Sequence, residues 1–211
     1  MNEEHIVRTA FFLLFFSIFF VRGYYTRKTL HSCEAGPLVN KKIAAREAPL
    51  SILLRFLGFI CMIGIIIIYA VEPEFLQWAM MHLPLWLRWA GIGLGIMGIA
   101  LLIWVHHSIG KYWSASLQLR EKHKIITIGP YQWVRHPMYT AFLTIFISFW
   151  LISSIWLFLL LLVLAAILIY IRIGSEESMM LEQFGDKYRV YMKNTARLFP
   201  RFFLKPNRQK C

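Results

Sequence analysis

Residues 138–171 read MYTAFLTIFISFWLISSIWLFLLLLVLAAILIYI, an uncharged and almost entirely apolar stretch of 34 residues. A single α-helix of that length would extend about 51 Å, whereas the hydrocarbon core of a bilayer is roughly 30 Å thick. The polar side chains of Ser148, Ser153 and Ser154 offer a turn inside the stretch. We therefore predict two antiparallel apolar helices, a hairpin that returns the chain to the side from which it came.

Three further apolar spans precede the hairpin, at residues 6–21, 52–71 and 85–105. Hydrophobic residues make up 58% of the 211-residue chain and charged residues 16%, against about 45–50% and 25% in a soluble domain. A core of this size cannot bury so many hydrophobic residues, which excludes a soluble globular protein, and the same composition excludes a disordered chain. The sequence predicts an all-α integral membrane protein with about five transmembrane helices and a cytoplasmic C-terminal region.

The formal net charge of +12 is concentrated between and after the apolar spans. No basic face with interleaved aromatic residues occurs, so we expect no nucleic-acid partner. Cytoplasmic loops retain Lys and Arg, and the loops alternate in charge along the chain. This pattern predicts an outside N-terminus and three cytoplasmic basic segments, a linker at 22–47, a loop at 106–137 and a tail at 172–211. Residues 1–105 then form one region with three helices, and residues 106–211 form a second.

The cysteines and histidines lack the spacing of a metal site, so no metal is expected. Cys33, Cys61 and Cys211 are scattered, and His106 and His107 are adjacent at the end of the third span. We interpret these two histidines as interfacial residues. The glycines of the sequence GIGLG at 91–95 lie inside a membrane span, where close helix packing is a better interpretation than a nucleotide-binding loop.

The block GPYQWVRHPMY at 129–139 is the first candidate functional motif. Pro137 suits the first turn of a helix, whose free N–H groups and positive dipole end favour a carboxylate. His136, Tyr131 and Tyr139 add polar groups around that helix end. The alternative is a purely structural block in which Arg135 and the aromatic residues mark the membrane surface.

The second candidate motif is RIGSEE at 172–177, directly after the last apolar run. If the helix continues, Arg172 and Glu176 are neighbours one turn apart, while Glu177 points about 100° away. The alternative is a surface ion pair worth about 0.2–0.5 kcal/mol. Ionisable groups at a membrane boundary are costly, which favours a functional role.

Taken together, several short motifs in residues 110–200 resemble the isoprenylcysteine carboxyl methyltransferase family. They are GKYWS at 110–114, HKII at 123–126, the block 129–139 with its Arg-His-Pro-x-Tyr sequence, Glu176-Glu177, and FGDKY at 184–188 with Tyr191. The short chain looks more like the prokaryotic members than the longer eukaryotic ones. The resemblance implies a methyltransferase region at 106–211, made of a cofactor loop at 106–137, the hairpin and the tail.

The resemblance also implies S-adenosylmethionine as the cofactor, with S-adenosylhomocysteine as its product. The implied cofactor-binding residues are Gln118, His123, Lys124, Ile125, Ile126, Tyr131, His136, Pro137, Met138, Tyr139 and Glu176. Arg172 aligns with a residue that faces the methyl acceptor and would bind this substrate. We assign Arg172, Glu176 and Glu177 as the candidate catalytic residues.

The implied reaction is methyl transfer to a lipophilic acceptor from the bilayer, such as an isoprenylcysteine carboxylate. A carboxylate needs no general base because it is ionised at neutral pH, so carboxyl O-methylation is favoured over N-methylation. The expected location is a prokaryotic cell membrane rather than the endoplasmic reticulum, with the active site facing the cytoplasm. Two alternatives remain at this point: a membrane reductase that uses NADPH, and a non-enzymatic scaffold or transporter subunit.

Overall fold

Six α-helices account for most of the chain that the computed structural model describes, which is residues 3–31, 49–109 and 125–200. They are α1 (Glu3–His31), α2 (Pro49–Val71), α3 (Leu85–Ile109), α4 (Pro137–Ser153), α5 (Trp156–Phe184) and α6 (Asp186–Asn194). Two 3-10 helices lie at Pro73–Ala79 and Gly129–Gln132. No β-strand occurs in these ranges, so the all-α prediction is confirmed.

Four of the described helices, α1, α2, α3 and α5, are long and apolar enough to cross a membrane. The fifth apolar helix, α4, has 17 residues and a length of about 25 Å. Large apolar side chains on these helices point away from the protein, among them Phe20 at 77% exposure and Leu50 at 64%. Such exposure is what lipid-facing positions require, and the chain has the architecture of a multi-pass integral membrane protein.

The predicted hairpin is present as α4 and α5. The chain reverses at Ser154, which has a left-handed backbone conformation with φ of 57°. The Ser153 hydroxyl accepts a hydrogen bond from the backbone N–H of Ile155 at 3.3 Å, which supports the turn. Ser148 takes no part in it, because it lies fully buried in the middle of α4.

Three helices extend beyond the spans that the hydropathy pattern predicts. Helix α1 continues to His31, α3 to Ile109 and α5 to Phe184. Charged and polar residues such as Arg, Lys, Glu and Gln are good helix formers, so a helix does not stop where hydropathy falls. The linker at 22–47, the loop at 106–137 and the tail at 172–211 therefore each begin as helix. For α5 this places Arg172 and Glu177 on one rigid element.

Close packing between α3 and α4 depends on the glycines of α3. A Cβ atom at Gly91 would lie 2.8 Å from Cβ of Leu151 and 3.2 Å from the backbone N of Ile152. At Gly95 it would lie 2.5 Å from Oγ of Ser148. These contacts agree with the predicted packing role of the glycines. They hold α4 close to α3, next to a core that α1 completes with Phe11 and other buried apolar residues.

A polar cluster fixes the helix ends at one side of the bundle. The buried Arg88 at the start of α3 donates to both carboxylate oxygens of Glu4 in α1, and its Nε donates to the carbonyl oxygen of Ile152 at 3.0 Å. From α1, Arg8 donates to the carbonyl oxygen of Tyr69 at 2.7 Å. The starts of α1 and α3 and the ends of α2 and α4 thus meet at one end, and the start of α4 lies at the other.

The packing of α3 against α4 predicts unequal effects of two neighbouring substitutions. We expect Gly91→Ala to destabilise the protein by about 1–3 kcal/mol, because the added methyl group meets Cβ of Leu151 and backbone of α4. Gly93→Ala is the matched control: a Cβ there meets nothing within 4 Å, so the substitution should be neutral or slightly stabilising. Thermal unfolding in detergent measures both. Equal midpoints for the two variants would show that the helices are not packed through this face.

Candidate functional site

The two sequence motifs meet at the start of α4. There, His136 and Tyr139 face Arg172, Glu176 and Glu177 of α5 across the interface between the helices. Pro137 occupies the first turn of α4, and no side-chain cap is formed there by the described residues. The structure therefore brings the central residues of both motifs into one cluster.

Glu176 is held by groups from both helices. The Tyr139 hydroxyl donates to Oε1 of Glu176 at 2.5 Å, and Nε of Arg172 donates to the same oxygen at 3.0 Å. Nδ1 of His136 lies 3.4 Å from Oε2. The Arg172–Glu176 pair has the one-turn spacing expected of a continued helix. The side chains of Arg172 and Glu176 keep 18% and 21% exposure, so a ligand can reach both.

Glu177 is more deeply buried, with 5% side-chain exposure, and accepts hydrogen bonds from three other side chains. Nε of Arg135 donates to Oε1 at 2.9 Å, and Nε2 of His136 lies 3.3 Å from the same oxygen. Arg197 donates to Oε2 from Nε at 3.1 Å and also from Nη2. Each of the two oxygens therefore has cationic or cation-forming partners. Replacing only one partner of such a buried charge is strongly destabilising.

A short non-helical segment at residues 195–198, here called the C-terminal strap, crosses the start of α4. Its hydrogen bonds to that region run from Ala196 N to Trp133 O (3.1 Å), Arg135 N to Ala196 O (2.8 Å), His136 N to Arg197 O (3.1 Å) and Thr140 Oγ1 to Leu198 O (2.6 Å). Arg135 also donates from Nη1 to the carbonyl oxygen of Met192 at 3.0 Å. The strap thereby fixes the backbone on both sides of His136.

The 3-10 turn before α4 is positioned by two contacts. The Tyr191 hydroxyl of α6 donates to the carbonyl oxygen of Tyr131 at 2.6 Å. Gly129 has a positive φ of 59°, and a Cβ atom there would lie 2.2 Å from Oγ of Ser108 in α3. Only glycine satisfies both the backbone angle and the close approach. The turn is thus held between α3 and α6.

The cluster raises the pKa of His136 above its usual value near 6.5. Burial alone lowers this pKa, but the hydrogen bonds and negative charges of Glu176 and Glu177 outweigh burial. A protonated His136 donates from both ring nitrogens, one to each carboxylate. Arg135, Arg172 and Arg197 face two glutamates, so the cluster carries one excess positive charge when His136 is neutral and two when it is protonated.

The predicted cofactor residues fall into three groups. His136, Tyr139 and Glu176 are in direct contact, and Tyr131 lies in the 3-10 turn before them, where its carbonyl oxygen accepts from the Tyr191 hydroxyl. Pro137 is buried, the half-buried Met138 packs against the main apolar core, and Ile125 and Ile126 are half-buried. Gln118, His123 and Lys124 lie outside the described residues.

The interpretation of His106 as an interfacial residue is wrong. His106 is 1% exposed, and its ring stacks on Tyr25 of α1 with centroids 4.8 Å apart. Its neighbour His107 is exposed. No group of three or more His, Cys, Asp or Glu residues in the described ranges is arranged to hold a metal ion.

Residues 91–182 match the profile of the isoprenylcysteine carboxyl methyltransferase (ICMT) family. This region is less than half of the 211-residue chain, and over it the chain is similar to that family. The matched region begins in α3 and ends near the end of α5, so it contains the cluster of His136, Tyr139, Arg172, Glu176 and Glu177. It starts earlier and ends earlier than the motif-based range of 110–200, and it excludes α6 and the C-terminal strap.

Two individual proteins are similar to parts of this chain. Methanethiol S-methyltransferase of Pseudomonas deceptionensis is 41% identical over 81 residues, which are 37% of this chain and 29% of that protein. The solved structure of the eukaryotic intramembrane Ras methyltransferase ICMT, determined without a monobody, superposes with a TM-score of 0.53. That match has 22% identity and covers 75% of this chain and 54% of that chain, so it shows a shared fold.

The sequence does not reveal the two arginines that bind Glu177. Arg135 stands in the Arg-His-Pro-x-Tyr motif, where the alternative interpretation makes it an anchor at the membrane surface, yet its side chain binds Glu177. Arg197 is one of five arginines in the basic tail at 172–211, and no spacing relates it to Glu177. Only the return of the C-terminal strap across α4 reveals its role.

The raised pKa of His136 predicts a pH-dependent contribution to stability. The unfolded chain protonates this histidine near pH 6.5, so the contribution is complete below that pH. It is lost as the pH rises through the higher pKa of the folded state. His136→Gln should therefore lower the free energy of unfolding more at pH 6 than at pH 9, by about 1.5–3 kcal/mol for hydrogen bonds between charged groups, and thermal unfolding at the two pH values measures the difference.

The exposed His107 provides the control for this measurement. The free energy of unfolding of His107→Gln should differ from that of the parent by nearly the same amount at the two pH values. If His136→Gln loses as much stability relative to the parent at pH 9 as at pH 6, this would contradict protonation of His136 within the cluster.

Proposed function

We propose that this protein is an integral membrane methyltransferase that uses S-adenosylmethionine and methylates an anionic, lipophilic acceptor. The observation that carries the proposal is the cluster of His136, Tyr139, Arg172 and Glu176 at one end of the bundle, inside the family region at 91–182. The chain covers only 29% of the methanethiol S-methyltransferase and 54% of the solved ICMT chain. Activity and acceptor are therefore inferred from the chemistry of this cluster.

The residues of the cluster fit the cofactor's amino-acid group, which carries an ammonium and a carboxylate. Glu176 offers a partly exposed carboxylate for the ammonium, and the start of α4, where no side-chain cap is formed, offers its positive dipole end for the carboxylate. Tyr139 fixes the orientation of Glu176. Opposite charges at adjacent positions are what a zwitterionic group needs.

When bound, S-adenosylmethionine supplies a methyl group attached to a positively charged sulfur, which is a good leaving group. The chain's own contribution is then to orient the acceptor in line with that methyl group and to exclude water. Arg172 stands one turn before Glu176 on α5, where it can contact both the bilayer side and the cluster. We assign binding of the acceptor to Arg172 and binding of the cofactor to Glu176.

An acceptor that is already ionised is favoured by the state of the two carboxylates. Glu176 accepts hydrogen bonds from Tyr139 and Arg172, and Glu177 accepts them from two arginines. Carboxylates stabilised in this way bind a proton weakly, so neither makes a strong general base. Glu177 therefore takes a positioning role in place of the catalytic role that the sequence predicts. An isoprenylcysteine-like carboxylate needs no base, whereas an amine does.

A thiol is the second candidate acceptor, because a relative with 41% identity over 81 residues carries the name methanethiol S-methyltransferase. A free thiol has a pKa near 8.5 and must ionise before it attacks. The excess positive charge of the cluster favours the thiolate in the same way that it favours a carboxylate. Both candidates thus share one property, a negative charge on the attacking atom.

The reductase and scaffold alternatives have no comparable support. The family region and the named relative both concern methyl transfer. Away from the cluster, Arg88 and Glu4 form an ion pair between two of the described membrane-spanning helices. This pair joins helix ends at the opposite side of the bundle. It occupies no central position of the kind that marks a transport pathway.

We also propose that the cluster faces the cytoplasm of a prokaryotic cell. The basic linker at 22–47 and the basic tail at 172–211 support this orientation through the distribution of Lys and Arg. The polar cofactor then reaches the cluster from the cytoplasm, while the acceptor enters from the bilayer.

The proposal predicts which acceptors become labelled when purified protein is incubated with methyl-labelled S-adenosylmethionine. A prenylcysteine analogue or an alkanethiol should be methylated, and phosphatidylethanolamine should not. Arg172→Lys should lose up to about 100-fold in turnover, because a point charge cannot replace the planar guanidinium that holds Glu176 and orients the acceptor. Arg189→Lys, at an exposed ion pair with Asp186, is the matched control and should keep parental turnover.

Two results would oppose the proposal. Transfer to none of the three acceptors would remove the methyltransferase assignment. Full turnover by Arg172→Lys on an accepted substrate would leave the methyltransferase assignment in place and remove the role of Arg172.

A further inference from the structure

Five side chains of alternating charge form a continuous series through the cluster. Arg197 donates to Glu177, Glu177 lies next to Nε2 of His136, Nδ1 of His136 lies next to Glu176, and Glu176 accepts from Arg172. The N···O distances along the series are 3.1, 3.3, 3.4 and 3.0 Å. The series begins in the C-terminal strap, outside the family region, and ends at the residue assigned to the acceptor.

Arg197 is the member of the series that joins the strap to the helices. Its backbone carbonyl oxygen accepts from the N–H of His136 at 3.1 Å, while its guanidinium donates twice to Oε2 of Glu177. The guanidinium carbon also lies 5.8 Å from the centre of the Tyr170 ring on α5. Arg197 thereby restrains the backbone of His136 directly and the ring of His136 through Glu177.

We propose that Arg197 is a positioning residue for the cofactor site, acting on Glu176 through Glu177 and His136. This inference rests on the proposed function, because it assumes that Glu176 binds the cofactor. It gives a specific role to the C-terminal strap, which lies in the predicted methyltransferase region but outside the short motifs and outside the matched residues 91–182.

Loss of the guanidinium has a defined physical consequence. Oε2 of the buried Glu177 would lose the two hydrogen bonds that Arg197 donates to it, and leaving a buried carboxylate under-satisfied is costly. The strap and His136 would then sample other positions, and the cofactor would have to order them on binding. Arg172 and Glu176 keep their direct contact, so turnover at saturating cofactor should change little.

The test compares Arg197→Gln, Arg197→Lys and the control Arg189→Gln in full-length protein in detergent. Calorimetric titration gives the dissociation constant for S-adenosylhomocysteine, and initial rates give KM for S-adenosylmethionine and kcat. Arg197→Gln should weaken binding and raise KM about tenfold, with kcat within about twofold of the parent. Arg197→Lys should regain at least half of the lost binding free energy, because it restores one charge opposite Glu177. Arg189→Gln should behave as the parent.

Hydrogen–deuterium exchange supplies a readout that needs no ligand. The amides of Arg135, His136 and Ala196 are bonded across the strap and should exchange faster in Arg197→Gln than in Arg189→Gln. Parental affinity in Arg197→Gln overturns the inference whether or not exchange changes, and so does failure of Arg197→Lys to restore binding. If the parent itself binds no S-adenosylhomocysteine, the proposed function fails. Separately, an unchanged exchange rate in Arg197→Gln would show that Arg197 does not hold this segment.

Discussion

The buried negative charge of Glu177 is the constraint on which the candidate site depends. A carboxylate with 5% side-chain exposure needs cationic partners to remain ionised. Those partners come from three separate parts of the chain: Arg135 before α4, Arg197 in the C-terminal strap, and His136 at the start of α4. To satisfy this one charge, the chain must bring α5, the strap and the loop before α4 together. The arrangement of Glu176 and Tyr139 beside it follows from that assembly.

At the opposite end of the bundle, a different ion pair fixes the positions of the helix ends. Arg88 pairs with Glu4 and donates to a carbonyl oxygen at the end of α4, which fixes where α4 ends relative to α1 and α3. Between the two ends, Gly91 and Gly95 let α3 and α4 approach closely. A short helix of 17 residues is thereby held at both ends and along one face. The start of α4 is consequently a rigid platform for His136 and Tyr139.

The sequence predicts the scaffold and five of the seven residues of the cluster, for identifiable reasons. Length and hydropathy reveal the hairpin at 138–171, and the Arg172–Glu176 spacing reveals a pair on one helix face, because both are local patterns. The ends of α1, α3 and α5 are not predicted, since hydropathy reports lipid contact and not helical hydrogen bonding. The contacts of Arg197 and Arg135 are also missed: they join residues 20 and 42 positions away from Glu177, and no local pattern encodes them. His106 is misassigned because burial against Tyr25 depends on how α1 packs on α3.

The most direct test of the account is the affinity of Glu176→Gln for S-adenosylhomocysteine, measured by calorimetric titration beside the parent and the exposed control Glu74→Gln. The account predicts saturable binding to the parent and the control, a loss of about 10- to 100-fold for Glu176→Gln as one charge-assisted contact is removed, and no binding of NADPH. Parental affinity in Glu176→Gln, or binding of NADPH in place of S-adenosylhomocysteine, would contradict it.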